Sequence, residues 1–345
     1  MMPPIDFTHP PAKMLIIKPS SLGDIIHSLP FLRAVKEHFP QTEIHWVVAR
    51  GLHVLLEKHP LISKLWVINK DAWKSAAYFR KTLREVRDLY TGLGREGYDA
   101  CIDLSGLLRS GLLSFASKAP VKIGFAESDE GSPFFYTHKV QGDMEMHAID
   151  RYLQIANAMG CPIDDIRYPM ADFESNPPVC RALPSEYAVI APSAGKEANR
   201  WPARRFGELA ARLPLPAVVV CGKGDASIAE EVVAAANGNA LSLAGQTNLT
   251  ELMAVIKKAR FFISNDTGPM HIAAAFQVPV FALFGPANPK RTGPYGSIHT
   301  IIKEDMACAP CYRWKPCEHW RCMEKLTVEK VLSVITHKLP SNSRY

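Results

Sequence analysis

Two stretches of this sequence place an acid among small and polar residues, at a point where an apolar run gives way to a periodic one. The first is "KPSSLGDIIHSLP", Lys18 to Pro30, with Ser21, Gly23 and Asp24 at the join. A carboxylate there either caps the following helix or accepts a proton as a general base. The second is "SNDTGPMHIAAAF", 264–276, in which Asp266, Thr267, Gly268 and His271 surround the predicted start of another helix. Backbone N–H groups at a helix N-terminus, with a glycine allowing close approach and a threonine hydroxyl beside it, suit a diphosphate. Capping by Asp266 is the plainer alternative there. Other phosphate motifs are weak. "CGKGDAS" (221–227) has G-x-G without the third glycine of G-x-G-x-x-G, and no G-x-x-x-x-G-K-[ST] occurs. These absences argue against an NAD-dependent oxidoreductase or a P-loop NTPase. No Asp-x-Asp pair has a supporting context; Glu127-Ser128-Asp129 falls in a predicted loop, so no catalytic metal is expected.

The elements that must position these residues alternate along the chain. "MLIIK" (14–18), "EIHWVV" (43–48), "KLWVI" (64–68) and "DACIDL" (99–104) read as strands, with helical segments at 25–38, 52–58, 75–90 and 146–160. A proline-rich stretch of little periodicity, 166–186, reads as a linker. A second series follows: strands at 188–192, 217–222, 240–245, 260–265 and 278–285, and helices near 204–213, 226–237 and 250–259. Short apolar strands alternating with amphipathic helices predict a parallel sheet covered on both faces. The expected organisation is therefore an N-terminal Rossmann-like domain over 1–165 and a second over 187–345.

Composition bounds the rest. The chain has 345 residues, 47% hydrophobic and 21% charged, with a net charge of +6. That length suits two domains, and that charge suits acidic partners while falling short of a nucleic-acid footprint. No apolar run reaches the roughly 18–20 residues that span a bilayer. "MMPPIDFTHPPAK" lacks the apolar segment of a secretory signal, so a cytoplasmic protein is expected.

With "IIKPSSLGDIIHSLPFLRAVKEHFP", "IDLSGLLRSGLLS" (102–114), "SNDTGPMHIAAA" and "LFGPANPKRTGPYG" (283–296), the chain resembles the ADP-heptose:lipopolysaccharide heptosyltransferases over nearly its whole length. The resemblance implies the GT-B form of the α/β class, two Rossmann-like domains facing across a cleft. It also implies an acceptor-binding N-terminal half and an ADP-sugar-binding C-terminal half. The acid of the family's S-x-G-D turn, its catalytic base, falls on Asp24, with Ser21 and Gly23 beside the acceptor. Inverting transfer then needs one carboxylate for the hydroxyl proton and a cradle for the departing ADP.

Further site residues follow from the same resemblance. "APSAGKEANRWPARRF" (191–206) matches the nucleotide-facing loop, placing Ser193 at the donor. The family's lysine just ahead of R-W-P is here Asn199, so Lys196 or Arg200 must meet the diphosphate. "CGKGDAS" puts Lys223 and Asp225 near the ribose. "NKDAWKSAAYFRK" (69–81) occupies the place of a basic, tryptophan-containing acceptor loop, which assigns Lys70, Lys74, Arg80 and Lys81, and then Arg109, to the phosphates and Kdo carboxylates of a Kdo-lipid A acceptor. The same cations suit peripheral attachment to the cytoplasmic face of the inner membrane. First-heptose enzymes are the nearer match; the alternatives are addition of a second heptose or another sugar, or a non-catalytic nucleotide-sugar or nucleic-acid binder. Finally, "CAPCYRWKPCEHWRC" crowds Cys308, Cys311, Cys317 and Cys322 around His319. This spacing suits a structural zinc better than disulfides, but free thiols are the favoured reading, and no cofactor is expected.

Overall fold

The computed structural model describes residues 5, 7, 9–69 and 79–339, with the side chains of 79–81 outside that description. The chain divides into two compact units, Met1–Asp172 and Phe173–Tyr345.

In the first unit the strands are β1 Lys13–Ile17, β2 Glu43–Ala49, β3 Lys64–Ile68, β4 Ala100–Asp103, β5 Val121–Phe125 and β6 His138–Val140. They form one six-stranded sheet in the order β3-β2-β1-β4-β5-β6, and each paired neighbour is parallel. Helices α1 Leu22–His38, α2 Phe79–Arg95, α3 Leu108–Ala116 and α4 Ala148–Ala158 cover it. In the second unit the strands are β7 Ala188–Ala191, β8 Ala217–Val219, β9 Ala240–Ser242, β10 Phe261–Asn265, β11 Val280–Phe284 and β12 Thr300–Lys303, in the order β12-β11-β10-β7-β8-β9. Again every paired neighbour is parallel. Its helices are α5 Pro178–Arg181, α6 Ala203–Ala210, α7 Ala226–Ala235, α8 Leu249–Lys257, α9 Gly268–Ala275, α10 Pro289–Thr292, α11 Arg321–Glu324 and α12 Val328–Lys338.

The two sheets share one topology. In each, the first and fourth strands lie side by side at the centre and the order reverses between them. Parallel sheets of this kind bind ligands beyond the carboxyl ends of the strands at that reversal. Central strands are buried on both faces, which is why they read as unbroken apolar runs: Met14, Leu15, Ile16 and Ile17 are all fully buried, as are Phe262 and Ile263. Helix α1 is enclosed almost all round, with Ile25, Ile26, Phe31, Leu32 and Val35 fully buried. This is the pattern of a helix covered on both sides. One expected helix, 52–58, is instead a single 3₁₀ turn at His53–Leu55; Leu55 alone of the three is buried, too little apolar surface to carry a longer helix.

Candidate active site

In the first unit the turn after β1 runs between the ends of β1 and β4. Its backbone is fixed from β2: the Trp46 indole N–H donates to Lys18 O (3.2 Å) and the Ala49 N–H to Pro19 O (2.9 Å). The residue that begins α1 as its N-cap is Ser21, and Asp24 stands at the third helical position. Asp24 reaches back as the acid of a capping box, a position that leaves its carboxylate on the cavity described below. Its Oδ2 accepts from the Ser21 N–H (2.7 Å) and the Ser21 hydroxyl (2.9 Å). Oδ1 accepts from the Tyr152 hydroxyl (3.2 Å), and the Lys18 ammonium lies 3.6 Å from the same oxygen. Lys18 itself is buried and donates to Leu104 O (3.1 Å). Burial works to raise the Asp24 pKa, but the Lys18 charge and the hydrogen bonds from Ser21 and Tyr152 outweigh it and hold the carboxyl below its ordinary value.

Asp24, Lys18 and Tyr152 line a cavity of about 640 Å³ together with Ser21, Arg109 and Arg151. Arg109 stands in the first turn of α3, entered by the turn after β4, which a buried acid organises. Asp103 Oδ1 accepts the N–H groups of Ser105 and Gly106 (2.8 and 3.1 Å), and Oδ2 accepts the Tyr136 hydroxyl (2.7 Å). Gly106 has φ of +68°, and a Cβ there would sit 2.5 Å from the Ser128 hydroxyl oxygen, so only glycine fits. Gly23 is buried inside α1. Lys70 and Lys74 lie outside the described residues; Arg80 and Lys81 stand in the first turn of α2, their side chains outside that description.

The second unit repeats the arrangement. The 192–201 loop follows β7, the Asp266–Gly268 turn follows β10, and Asn265 ties them: its Oδ1 accepts the Trp201 N–H (2.9 Å) and its Nδ2 donates to Pro192 O (2.6 Å). Thr267 is the N-cap residue of α9 and Gly268 its first helical residue. Asp266 therefore precedes the cap, and its Oδ2 accepts from the Asn199 amide (3.1 Å). Pro269 has no N–H and Met270 donates to Thr267 O (3.2 Å); the Gly268 N–H and the Thr267 hydroxyl are donors at this turn. Burial pushes the Asp266 carboxyl up to about 6 against the opposing pull of Lys196. His271 is buried in the next turn.

Of the two cations expected at the diphosphate, Arg200 donates to Ala194 O (2.9 Å) and pairs with Asp225 (3.3 Å). Lys196 stands 5.2 Å over the Trp314 ring and acts on Asp266. Ser193 is half-buried on the same loop, and Lys223 and Asp225 share a 3₁₀ turn after β8, with Lys223 exposed.

Cys308, Cys311, Cys317 and Cys322 line a separate cavity of about 380 Å³ with His319 and Trp320. All four are free thiols. Among the described residues no group of three or more His, Cys, Asp or Glu side chains is arranged to hold a metal ion. N–H groups of Trp320 and His319 pull the Cys317 thiol below its ordinary pKa. This loop also braces the 192–201 loop, since the Ala198 N–H donates to Trp314 O and the Trp320 indole to Ala198 O (both 3.0 Å).

Lys18, Tyr152 and Arg151 were absent from the sequence expectations. A cation ending an apolar strand, directly before the Ser21–Asp24 turn, was a readable signal for Lys18. Tyr152 and Arg151 sit in an ordinary amphipathic helix and carried none.

The fold is shared with known proteins. The sequence profile of glycosyltransferase family 9 (heptosyltransferase) matches residues 86–320. A Pseudomonas aeruginosa protein named lipopolysaccharide heptosyltransferase 1 is 30% identical over 348 residues, covering 93% of each chain. The Haemophilus influenzae lipopolysaccharide core heptosyltransferase OpsX is 28% identical over 306 residues, 86% of this chain and 85% of that one. The structure of E. coli ADP-heptose lps heptosyltransferase II superposes with a TM-score of 0.78 at 23% identity, covering 95% and 98% of the chains; this likeness shows the GT-B fold. With a profile match over more than half its length and a relative at that level of identity, the chain belongs to glycosyltransferase family 9, the heptosyltransferases.

Proposed function

We propose that the protein transfers heptose from ADP-L-glycero-D-manno-heptose to the inner core of lipopolysaccharide with inversion, adding the first heptose to Kdo. The observation that carries this reading is the Asp24 carboxylate on the 640 Å³ cavity, with its two oxygens unequally engaged. Oδ2 accepts two hydrogen bonds from Ser21; among the described residues Oδ1 accepts one, from Tyr152, and faces the Lys18 ammonium at 3.6 Å. A carboxylate oxygen has two lone-pair positions, so Oδ1 retains one for an incoming hydroxyl.

The acceptor hydroxyl oxygen forms a bond to the anomeric carbon and its proton passes to Asp24 Oδ1. The bond from that carbon to the ADP oxygen breaks, and its electron pair leaves with the diphosphate. ADP needs neutralising donors rather than a proton. The Gly268 N–H, the Thr267 hydroxyl and the Lys196 ammonium serve that role in the second unit, with Ser193 and His271 beside them. Arg200, already paired with Asp225, shapes the loop, while Lys223 and Asp225 border the ribose. Arg109 meets acidic groups of the acceptor, as do Lys70, Lys74, Arg80 and Lys81 on the basic segment. The names of the Haemophilus and Pseudomonas relatives support a lipopolysaccharide-core acceptor, and the Pseudomonas name favours the first heptose. On this reading the enzyme works at the cytoplasmic face of the inner membrane.

The test follows ADP release from ADP-heptose with Kdo2-lipid A, and with the same acceptor already bearing one heptose. Turnover only on the second would move the assignment to the second heptose; no turnover on either would remove the lipopolysaccharide reading. Asp24→Asn is expected to lower kcat by roughly 10²–10⁴-fold, the usual span for a general base, with ADP affinity unchanged. Retention of most of the rate by that variant would leave Asp24 only its part in the capping box.

A further inference from the structure

Helix α3 presents two distinct faces. Leu107, Arg109, Ser110 and Leu113, at and near its N-terminal end, line the Asp24 cavity. Its outward side carries Leu108, Leu112 and Phe115, at helical spacings of four and three, and all three are exposed (43%, 37% and 65%). On one flank runs the Ser132–Phe135 turn. It packs on α3 so closely that a Cβ on Gly111 would meet the Phe135 ring at 2.6 Å, and Phe115 and Phe135 stack edge to face. From this turn Phe134 projects with 91% of its surface exposed. Single exposed apolar residues are unremarkable, but four of them on one helix face and its flanking turn mark a candidate interaction surface.

The opposite flank supplies charge. A groove of about 520 Å³ between α2 and α3 is lined by Arg95, Lys118 and Lys122 together with Tyr90, Thr91, Gly94, Phe115 and Ala116, and by no acid. Phe115 belongs to both the apolar row and this cationic groove. Acids approach the face at 127–130, where Glu127 accepts the Gly142 N–H and Glu130 the Leu108 N–H at the start of α3, beside exposed Asp129.

An apolar ridge bordered by cations complements the surface of an anionic lipid leaflet, which takes apolar side chains at the acyl boundary and basic ones among its phosphates. We propose that the α3 face, Leu108, Leu112, Phe115 and Phe134 with Arg95, Lys118 and Lys122, is the surface by which this protein docks on an anionic bilayer. The same helix that walls the acceptor cavity then lies on the membrane, which places the cavity beside a lipid-linked acceptor; this last consequence rests on the function proposed above.

The full chain is tested by co-sedimentation with vesicles of phosphatidylglycerol and phosphatidylcholine, and of phosphatidylcholine alone. Binding is expected to the anionic vesicles and to weaken with salt. A variant carrying Leu112→Ser, Phe115→Ser and Phe134→Ser, and a second carrying Lys118→Glu and Lys122→Glu, are each expected to lower that partition by about tenfold or more. Circular dichroism and the rate on a detergent-dispersed acceptor should stay at wild-type values. Absence of wild-type binding to anionic vesicles overturns the proposal, as does full binding by both variants. So does light scattering that shows the wild type to be a dimer which the serine variant dissociates, because the face would then be covered by a second copy. Vesicle binding is read without turnover, so its failure is distinct from failure of the proposed reaction.

Discussion

At the scale of single residues, the site rests on how one buried cation and one phenol treat Asp24. Lys18 is enclosed, and the Asp24 charge helps to keep it protonated against the desolvation that would neutralise it. In return it keeps Asp24 ionised. Because the folded pKa of Asp24 lies below its ordinary value, its ionised form stabilises the fold above about pH 4, and that contribution is lost as pH falls through the folded value. Lys18→Met is therefore expected to move the acid limb of kcat/KM upward, an effect that loss of packing alone would not produce; an unmoved limb would show that Lys18 does not tune the base. Asp266 runs the other way. Burial raises it to about 6, so its ionised form is penalised on folding as pH rises from about 4 towards 6. If its carboxylate faces the diphosphate, wild-type ADP affinity should weaken relative to Asp266→Asn between pH 5 and 8, as measured by calorimetry. Parallel pH profiles for the two proteins would place that acid away from the nucleotide.

At the scale of elements, small residues set how closely helices approach. Gly207 of α6 faces α7, and a Cβ at that position would lie 2.4 Å from Val232 O and 2.5 Å from the Ala235 Cβ. Backbone cannot yield as a flexible side chain does, so Gly207→Ala should cost about 1–3 kcal/mol of stability, read as a lowered midpoint in urea; an unchanged midpoint would mean the two helices slide apart freely. Elements also differ in how plainly the chain announces them. "MLII", "FFIS" and "VFALF" are strands buried on both faces and read as such. By contrast α3, "LRSGLLSFA", mixes small residues with an apolar outer face, so its period points to no single buried side. Strands β5 and β6 are short and interrupted by lysines, and their pairing comes from distant partners.

At the scale of the whole molecule, the two units carry the same sheet order, and each sets its turns at the reversal of that order. The proposed division of labour between them, acceptor in the first unit and ADP-sugar in the second, predicts a pattern of hydrogen exchange. ADP alone should protect amides near 192–200, 222–226 and 266–270 and leave 18–24 and 105–110 unchanged, with protection there appearing when acceptor is added; protection of 18–24 by ADP alone would contradict that division. Among the described residues no helix is long and apolar enough to cross a membrane. The sequence by itself determined the alternation of strands and helices, the two acid-bearing turns and the family resemblance. Each of these is local, written in periodicity or in a few adjacent residues. The tertiary structure decided what those turns face. Tyr152 lies 128 residues from Asp24 and Asn265 lies 64 residues from Trp201. Such contacts are set by where parallel strands place their carboxyl ends, and the pairing of distant strands leaves no local periodic mark.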